Sequence, residues 1–217
     1  MKLDKATISF MKLSSEKQNR IMEAAITEFA EYGYNSANIN KIAQNAGVSI
    51  GSMYKYFNSK EDLYLTIVHL GVETLKATLE DIVNREADLF TRIEMILQAI
   101  QSYSRQYVGL TRLYNEMTTE NHSELTWTIV SDMEGITAEL YSSFIKGAQV
   151  SGQLRPDIDP RYFAFFLDNL FILLQFSYAC EYYKNRLKMF IGQEVFDQDE
   201  LMVDQLMKFI RGAFGLQ

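Results

Sequence analysis

The chain has 217 residues, 47% of them hydrophobic, and a net charge of −7. That apolar content provides ample core for one large domain or two small ones, and the overall charge taken alone argues against a nucleic-acid partner. The single cysteine, Cys180, excludes an internal disulfide, fits a reducing cytosol, and reads as a lone buried thiol in preference to a redox site.

The charge is unevenly spread. Residues 1–60 hold eight Lys/Arg against five Asp/Glu, a balance of +3, while the remainder hold 13 against 23, a balance of −10. A phosphate backbone would be met by the first part and repelled by the rest, so a small basic head on an acidic body is expected. Helical periodicity dominates and strand-like alternation is nearly absent, which predicts an all-α fold. Pro156 and Pro160 are the only prolines, and they confine the main break of a largely helical body to Gly152–Pro160. No repeat, low-complexity tract or long linker appears, so a continuous helix should join head and body.

Taken in chain order, residues 1–13 carry Lys2, Lys5 and Lys12 but lack the long apolar core of a signal peptide. They read as a disordered tail in preference to a minor-groove arm. The first helix is expected from Ser15, with Gln18 completing a capping box and Ile21, Met22, Ala25, Ile26 and Phe29 forming the apolar stripe. Gly33 should end it. Asn38 caps a second helix whose Ile39, Ile42, Ala43 and Ala46 face inward; Gly47 supplies a turn that needs positive φ, and Val48 plugs the angle. Ser49 caps a third helix, where Met53 and Phe57 point to the core and Ser52, Tyr54, Lys55 and Tyr56 occupy the other faces. Ser59 with Asp62 opens a fourth helix, whose first turn holds Lys60. Two short helices joined by a tight glycine turn, with tyrosines beside lysines on the surface, are the layout of a helix-turn-helix DNA reader; a helical hairpin that merely packs leaves those tyrosines unexplained.

Phe29, Gly33, Ile42-Ala43, Ala46-Gly47-Val48-Ser49, Tyr54, Tyr56-Phe57 and Lys60-Glu61-Asp62-Leu63 together resemble the N-terminal domain of the TetR family of transcriptional regulators, over roughly residues 14–64. The resemblance implies an all-α homodimer, a helix-turn-helix that reads palindromic double-stranded operators, and a C-terminal domain that binds a small effector and thereby releases DNA. It places Asn38, Tyr54 and Lys60 on phosphates and Ser49, Ile50, Gly51, Ser52, Lys55 and Tyr56 toward the groove. Asn38 and Lys60 at helix N-termini suit an anion, and a tyrosine hydroxyl reaches a phosphate oxygen. Asn38 stands where Thr or Ser is more usual in the family. Ile50 and Gly51 offer few donors to base edges, which leaves direct readout to Ser52, Lys55, Tyr56 and methyl contacts. The expected organisation is an arm at 1–13, a DNA-binding domain at 14–60, and an effector-binding and dimerisation domain at 61–217.

In the body, helices are expected near 60–82, 87–107, 109–120, 123–151, 159–190 and 197–214. Leu89, Ile93, Ile96, Leu97, Ile100, Tyr103 and Tyr107 form one stripe; Leu125, Ile129, Met133, Ile136, Leu140 and Phe144 form another. The helix after Pro160 is apolar on nearly every side, but Asp168, Asn169 and Gln175 interrupt it and favour a buried soluble helix over a membrane span. The resemblance implies cover for it in a four-helix interface made by the last two helices of each copy, to which Met202, Leu206, Phe209, Ile210 and Ala213 would contribute. Tyr103, Tyr107, Tyr114, Trp127, Phe166 and Phe171, with Met95 and Met117, suit an apolar effector cavity, in which Glu134, Asp168 and Asn169 would orient a polar or cationic group. His69 and His122 are the only histidines and stand in no metal-ligand or catalytic spacing, and no nucleophile, phosphate-loop or Cys-x-x-Cys motif occurs. A regulator with no catalytic residue, metal or cofactor, cytoplasmic and without a membrane partner, is the expectation, a repressor before an activator; a helical protein-interaction module is the rival.

Overall fold

In the computed structural model, which describes residues 5–83, 85–119 and 124–215, the helices after Ser14, Asn38, Ser49, Asp88 and Asp159 begin where that side chain takes a free backbone N–H. The described residues form α1 (Ile8–Met11), α2 (Ser15–Ser36), α3 (Ile39–Asn45), α4 (Ile50–Tyr56), α5 (Lys60–Val83), α6 (Leu89–Gln106), α7 (Val108–Thr119), α8 (Glu124–Val150), α9 (Pro160–Ala179), α10 (Glu181–Ile191) and α11 (Asp199–Phe214), with a 3-10 turn at Gln193–Asp197. No strand occurs among them; Leu154 and Gly215 make an isolated bridge. Lys2 and His122, and the side chains of Leu125, Ile129 and Met133, lie outside the described residues.

The helices group into two compact units: Met1–Leu75 with Arg112–Ile129, and Lys76–Thr111 with Val130–Gln217. In the first, Ile21, Ala25 and Phe29 of α2, Ile42 and Ala43 of α3, Met53 of α4, then Phe57 and Leu63 close one core, each all but fully buried. Full burial of a side chain of this size contributes about 1.5–3 kcal/mol. Gly33 leaves helical geometry at φ 71° and Gly47 turns between α3 and α4 at φ 65°, the two positions where the chain reverses and a Cβ would be strained.

Three expectations in this unit are corrected. The cap of α2 is Ser14, whose Oγ accepts from the Lys17 N–H, while the Gln18 carboxamide donates to the carbonyls of Phe10, Met11 and Leu13. A one-residue shift of the cap frees Gln18 to hold the preceding turn. Residues 5–13 are not a loose tail: Phe10 is buried, its ring 4.9 Å from that of Phe57. Tyr56 is buried as well, at 8% exposure, with its ring edge against Phe10 at 6.2 Å. It is therefore not a surface aromatic of α4.

In the second unit α6 packs against α9 and α11, and α10 folds back on α9. Leu89, Ile93, Ile96 and Leu97 are buried as the α6 stripe requires; Ile100, Tyr103 and Tyr107 are half-buried. The α8 stripe is turned from its expected position. Thr137, Tyr141, Ile145 and Ala148 face inward and Ile136 is exposed, a rotation of one residue, or about 100°. Tyr141 drives it by packing edge-on against Phe171 of α9 at 5.5 Å. Asp159 caps α9 with Pro160 in its first turn, so the break at Gly152–Pro160 stands where the prolines put it.

The expected single helix over 159–190 is two. Cys180, buried, adopts extended geometry (φ −102°, ψ 129°) between α9 and α10, although no proline or glycine marks the spot. A polar cluster holds the end of α9: Gln101 Nε2 donates to the Tyr178 hydroxyl at 2.9 Å, that hydroxyl donates to Asp199 Oδ1 at 3.0 Å, and Arg105 pairs with the same carboxylate at 2.6 Å. α9 is long and apolar enough to cross a membrane by length and composition, yet Ala164, Leu167, Phe171, Leu174 and Phe176 are buried within the unit.

Candidate DNA-binding face and effector residues

The second helix of the turn motif, α4, is held at both ends. Ser49 Oγ accepts from the Ser52 N–H at 3.1 Å and lies 2.9 Å from the Ser52 hydroxyl. At the other end Thr7 donates its hydroxyl to the Lys55 carbonyl (2.6 Å) and its N–H to the Tyr56 carbonyl (2.9 Å), satisfying acceptors that a helix C-terminus leaves open. Met53, Tyr56 and Phe57 fix the inner face. What remains outward is Ser49, Ile50, Gly51, part of Ser52, Tyr54 at 53% exposure, and Lys55. A cation, a phenol, a hydroxyl and an aliphatic tip on one short helix can meet phosphates, base edges and thymine methyl groups.

Asn38 is exposed beside this face. Its Oδ1 accepts from the Asn40 N–H at 2.9 Å, capping α3, while its own N–H donates to Glu28 Oε1 at 3.0 Å. Glu28 is buried, and this bond gives its carboxylate a partner. Lys60 is more engaged than its place at a helix start implies: Nζ donates to the carbonyls of Asn35 (3.1 Å) and Ala37 (3.3 Å) and sits 4.8 Å from the centre of the Tyr34 ring. An ammonium has three donors, so these two carbonyls do not use all of them.

Two contributors escape a reading of the sequence. Thr7 acts across 48 residues, and nothing in its neighbourhood signals it. Glu116 on α7 accepts the Tyr34 N–H at 2.9 Å, and its Oε1 would lie 2.7 Å from a Cβ at Gly33. It joins α7 to the end of α2 within the first unit.

The expected effector residues are divided. Tyr114, Met117 and Trp127 fall in the first unit; Met95, Tyr103, Tyr107, Glu134, Phe166, Asn169 and Phe171 fall in the second. Trp127 is 67% exposed and Phe166 50% exposed, and Met117 and Phe171 are buried. Tyr103 and Tyr107 are in ring contact at 4.9 Å, with burial pushing Tyr103 up to about 12. Asn169 is spent on its own helix, donating to the Phe165 carbonyl at 2.7 Å. Asp168 is raised to about 6 by burial and, secondarily, by the charge of Glu134; Tyr141 is raised by burial first and by the same two carboxylates. Glu134, Tyr141 and Asp168 therefore interact electrostatically within the second unit. Among the described residues no group of three or more His, Cys, Asp or Glu converges as a metal site.

Residues 21–67 match the model of the bacterial regulatory proteins of the tetR family. The chain is 29% identical over 157 residues to the HTH-type transcriptional regulator RutR of Escherichia coli K12, covering 70% of this chain and 71% of that one. It is 24% identical over 149 residues to the HTH-type transcriptional repressor KstR2 of Mycobacterium tuberculosis H37Rv, covering 67% and 72%. Among solved structures, a TetR family transcriptional regulator from Chloroflexus aurantiacus J-10-FL superposes with a TM-score of 0.75 at 22% identity, over 98% of this chain and 99% of the other.

Proposed function

Because this chain belongs to the TetR family of bacterial regulatory proteins, and its relatives are transcription regulators and not enzymes, we propose that it is a cytoplasmic repressor that leaves a palindromic operator when a small, largely apolar effector binds. The observation that carries the reading is α4: capped by Ser49, pinned by Thr7, and left with Tyr54, Lys55, Ile50 and Ser52 outward. Asn38 and the remaining donor of Lys60 flank it for phosphate contact. A repressor is favoured over an activator by the KstR2 relative, named as one.

The operator is read by two copies. α9 and α11 expose Tyr162, Phe165, Phe166, Leu173, Leu201 and Phe209, large apolar side chains that a second copy would cover. The effector is taken by the second unit, where Met95, Tyr103, Tyr107 and Phe171 supply apolar surface and Glu134 with Asp168 supplies polarity for one head group. Binding shifts DNA affinity by no more than the effector's preference for one state over the other.

Band-shift titration against the DNA flanking the chain's own coding sequence tests the reading. Specific binding should weaken steeply as salt rises and fall at least about tenfold in Tyr54→Ala or Lys55→Ala. Binding that is absent, or indifferent to salt and to both substitutions, removes the regulator and leaves a protein-interaction module.

A further inference from the structure

Between the first turn of α6 and the last turns of α8 lies a cleft of about 360 Å³, at the small end of the range for ligand pockets and lined by none of the proposed effector residues. Its one cation is Arg92. The guanidinium lies over the Phe144 ring, 4.9 Å from its centre, and donates from one Nη to the Arg85 carbonyl at 3.2 Å, but its Nε–H is buried with no acceptor. Arg105, Arg155 and Arg161 each meet an aspartate at 2.6 Å; Arg92 meets no carboxylate among the described residues. A buried donor on a cation, held by one carbonyl and one ring, is a costly arrangement that an incoming anion relieves.

The other polar groups of the cleft are largely committed. Asp88 Oδ1 accepts from the N–H groups of Phe90 and Thr91, and Oδ2 from the Thr91 hydroxyl. Those bonds hold its carboxyl below the usual range, so a fixed negative charge shares the cleft. Gln153 spends its carboxamide oxygen on the Leu89 N–H at 3.2 Å and keeps its NH₂ to donate. Ser143 and Ser151 also line the cleft, the Ser151 hydroxyl donating to the Ala148 carbonyl at 3.1 Å, and Ala87, Leu89, Gly147 and Ala148 add small apolar surface. Asp88 already offsets part of the guanidinium charge, so the cleft takes at most a single negative charge and opposes a dianion, and Ala87, Leu89 and Ala148 leave a small apolar surface for hydrocarbon.

We propose that this cleft binds a small organic monocarboxylate, its carboxylate on the Arg92 guanidinium and its hydrocarbon against Leu89 and Ala148. Arg92 turns its Nε edge toward the ligand by sliding over Phe144, and the Gln153 NH₂ adds a neutral donor. The site is independent of the DNA-binding reading, and its test uses no DNA.

The test is NMR of the Arg92 Nε–H resonance in the full ¹⁵N-labelled chain, with calorimetry, using benzoate, its neutral amide benzamide, and inorganic phosphate as probes. Benzoate should move the resonance saturably and bind at least about tenfold more tightly than either control, as a charge-assisted pair at one guanidinium requires. Arg92→Gln should lose at least about tenfold in benzoate affinity. Gly147→Leu guards against a folding artefact: a Cβ there meets nothing within 4 Å, so the variant should keep its melting temperature while filling the cleft and losing benzoate. No saturable shift, phosphate or benzamide binding as well as benzoate, or a Gly147→Leu variant that binds like the parent would each overturn the proposal.

Discussion

A single aromatic side chain, Phe10, ties residues 5–13 to the helix-turn-helix. It is buried against Tyr56 and Phe57, and it brings Thr7 to the last carbonyls of α4. Truncation to alanine should cost about 3 kcal/mol, the low end for a buried Phe because the short helix that carries it can shift. Urea unfolding of Phe10→Ala checks this; a loss below about 1 kcal/mol would mean that residues 5–13 do not support α4. Gly33 is a second residue-scale test. Its φ of 71° is strained for alanine, and a Cβ would crowd Glu116 Oε1, which holds the Tyr34 N–H. Gly33→Ala should cost about 1–3 kcal/mol, and less in a Glu116→Ala background, where the strain remains but the crowding is gone. A double-mutant cycle with no coupling would show that Glu116 simply moves aside.

At the scale of elements, α9 carries the sharpest tension, since a carboxyl sits half-buried in an apolar helix. Asp168 titrates near 6 in the folded chain against an ordinary value of 3.8, raised by burial and then by Glu134. The folded state therefore holds its proton more firmly than the unfolded state, and stability falls as pH rises from about 4 to about 6, then stays low. Asp168→Asn should be more stable than the parent at pH 7.5, by about 1–3 kcal/mol, and should lose the slope in that window. Thermal denaturation from pH 4 to 7.5 decides it; a parallel pH profile in parent and variant would clear Asp168 of any cost. The elements also show what local pattern conveys. Caps at Asn38, Ser49 and Ser59 and turns at Gly33 and Gly47 are written in side chains that act within three residues, so the turn motif was legible almost residue by residue. The division of α9 from α10 depends on Tyr178 meeting Gln101 and Asp199, partners 77 and 21 residues away, and the one-residue rotation of α8 depends on Phe171. Periodicity fixes that a helix has an apolar face, but in a helix rich in apolar residues several faces compete and the tertiary partner chooses. The same distance dependence hid Tyr56, which local spacing put outside and Phe10 draws in.

For the whole molecule, the balance of +3 in residues 1–60 and −10 beyond them sets a limit on how one copy can hold DNA. A single small head brings few cations to the phosphates and the net charge of the remainder opposes it, so the proposed operator binding calls for two heads on one duplex. The exposed apolar face of α9 and α11 offers the means, and it is separate in sequence from α4, so the two functions can be disabled independently. Placing charge in that face with Phe165→Glu and Phe209→Glu would bring like charges together at a two-fold interface and leave both carboxylates to be desolvated. Sedimentation velocity should then report a species near the chain mass of 25.1 kDa where the parent runs at twice that. Operator affinity should fall at least about 100-fold, because the second head loses its millimolar effective concentration, and the salt slope should drop to about half as each complex releases half the counterions. Tyr54→Ala would behave in the opposite way, dimeric but weak on DNA. A double-Glu variant that remains dimeric would place the two-fold contact elsewhere on the chain, and one that is monomeric yet binds with undiminished affinity and slope would show that a single head suffices.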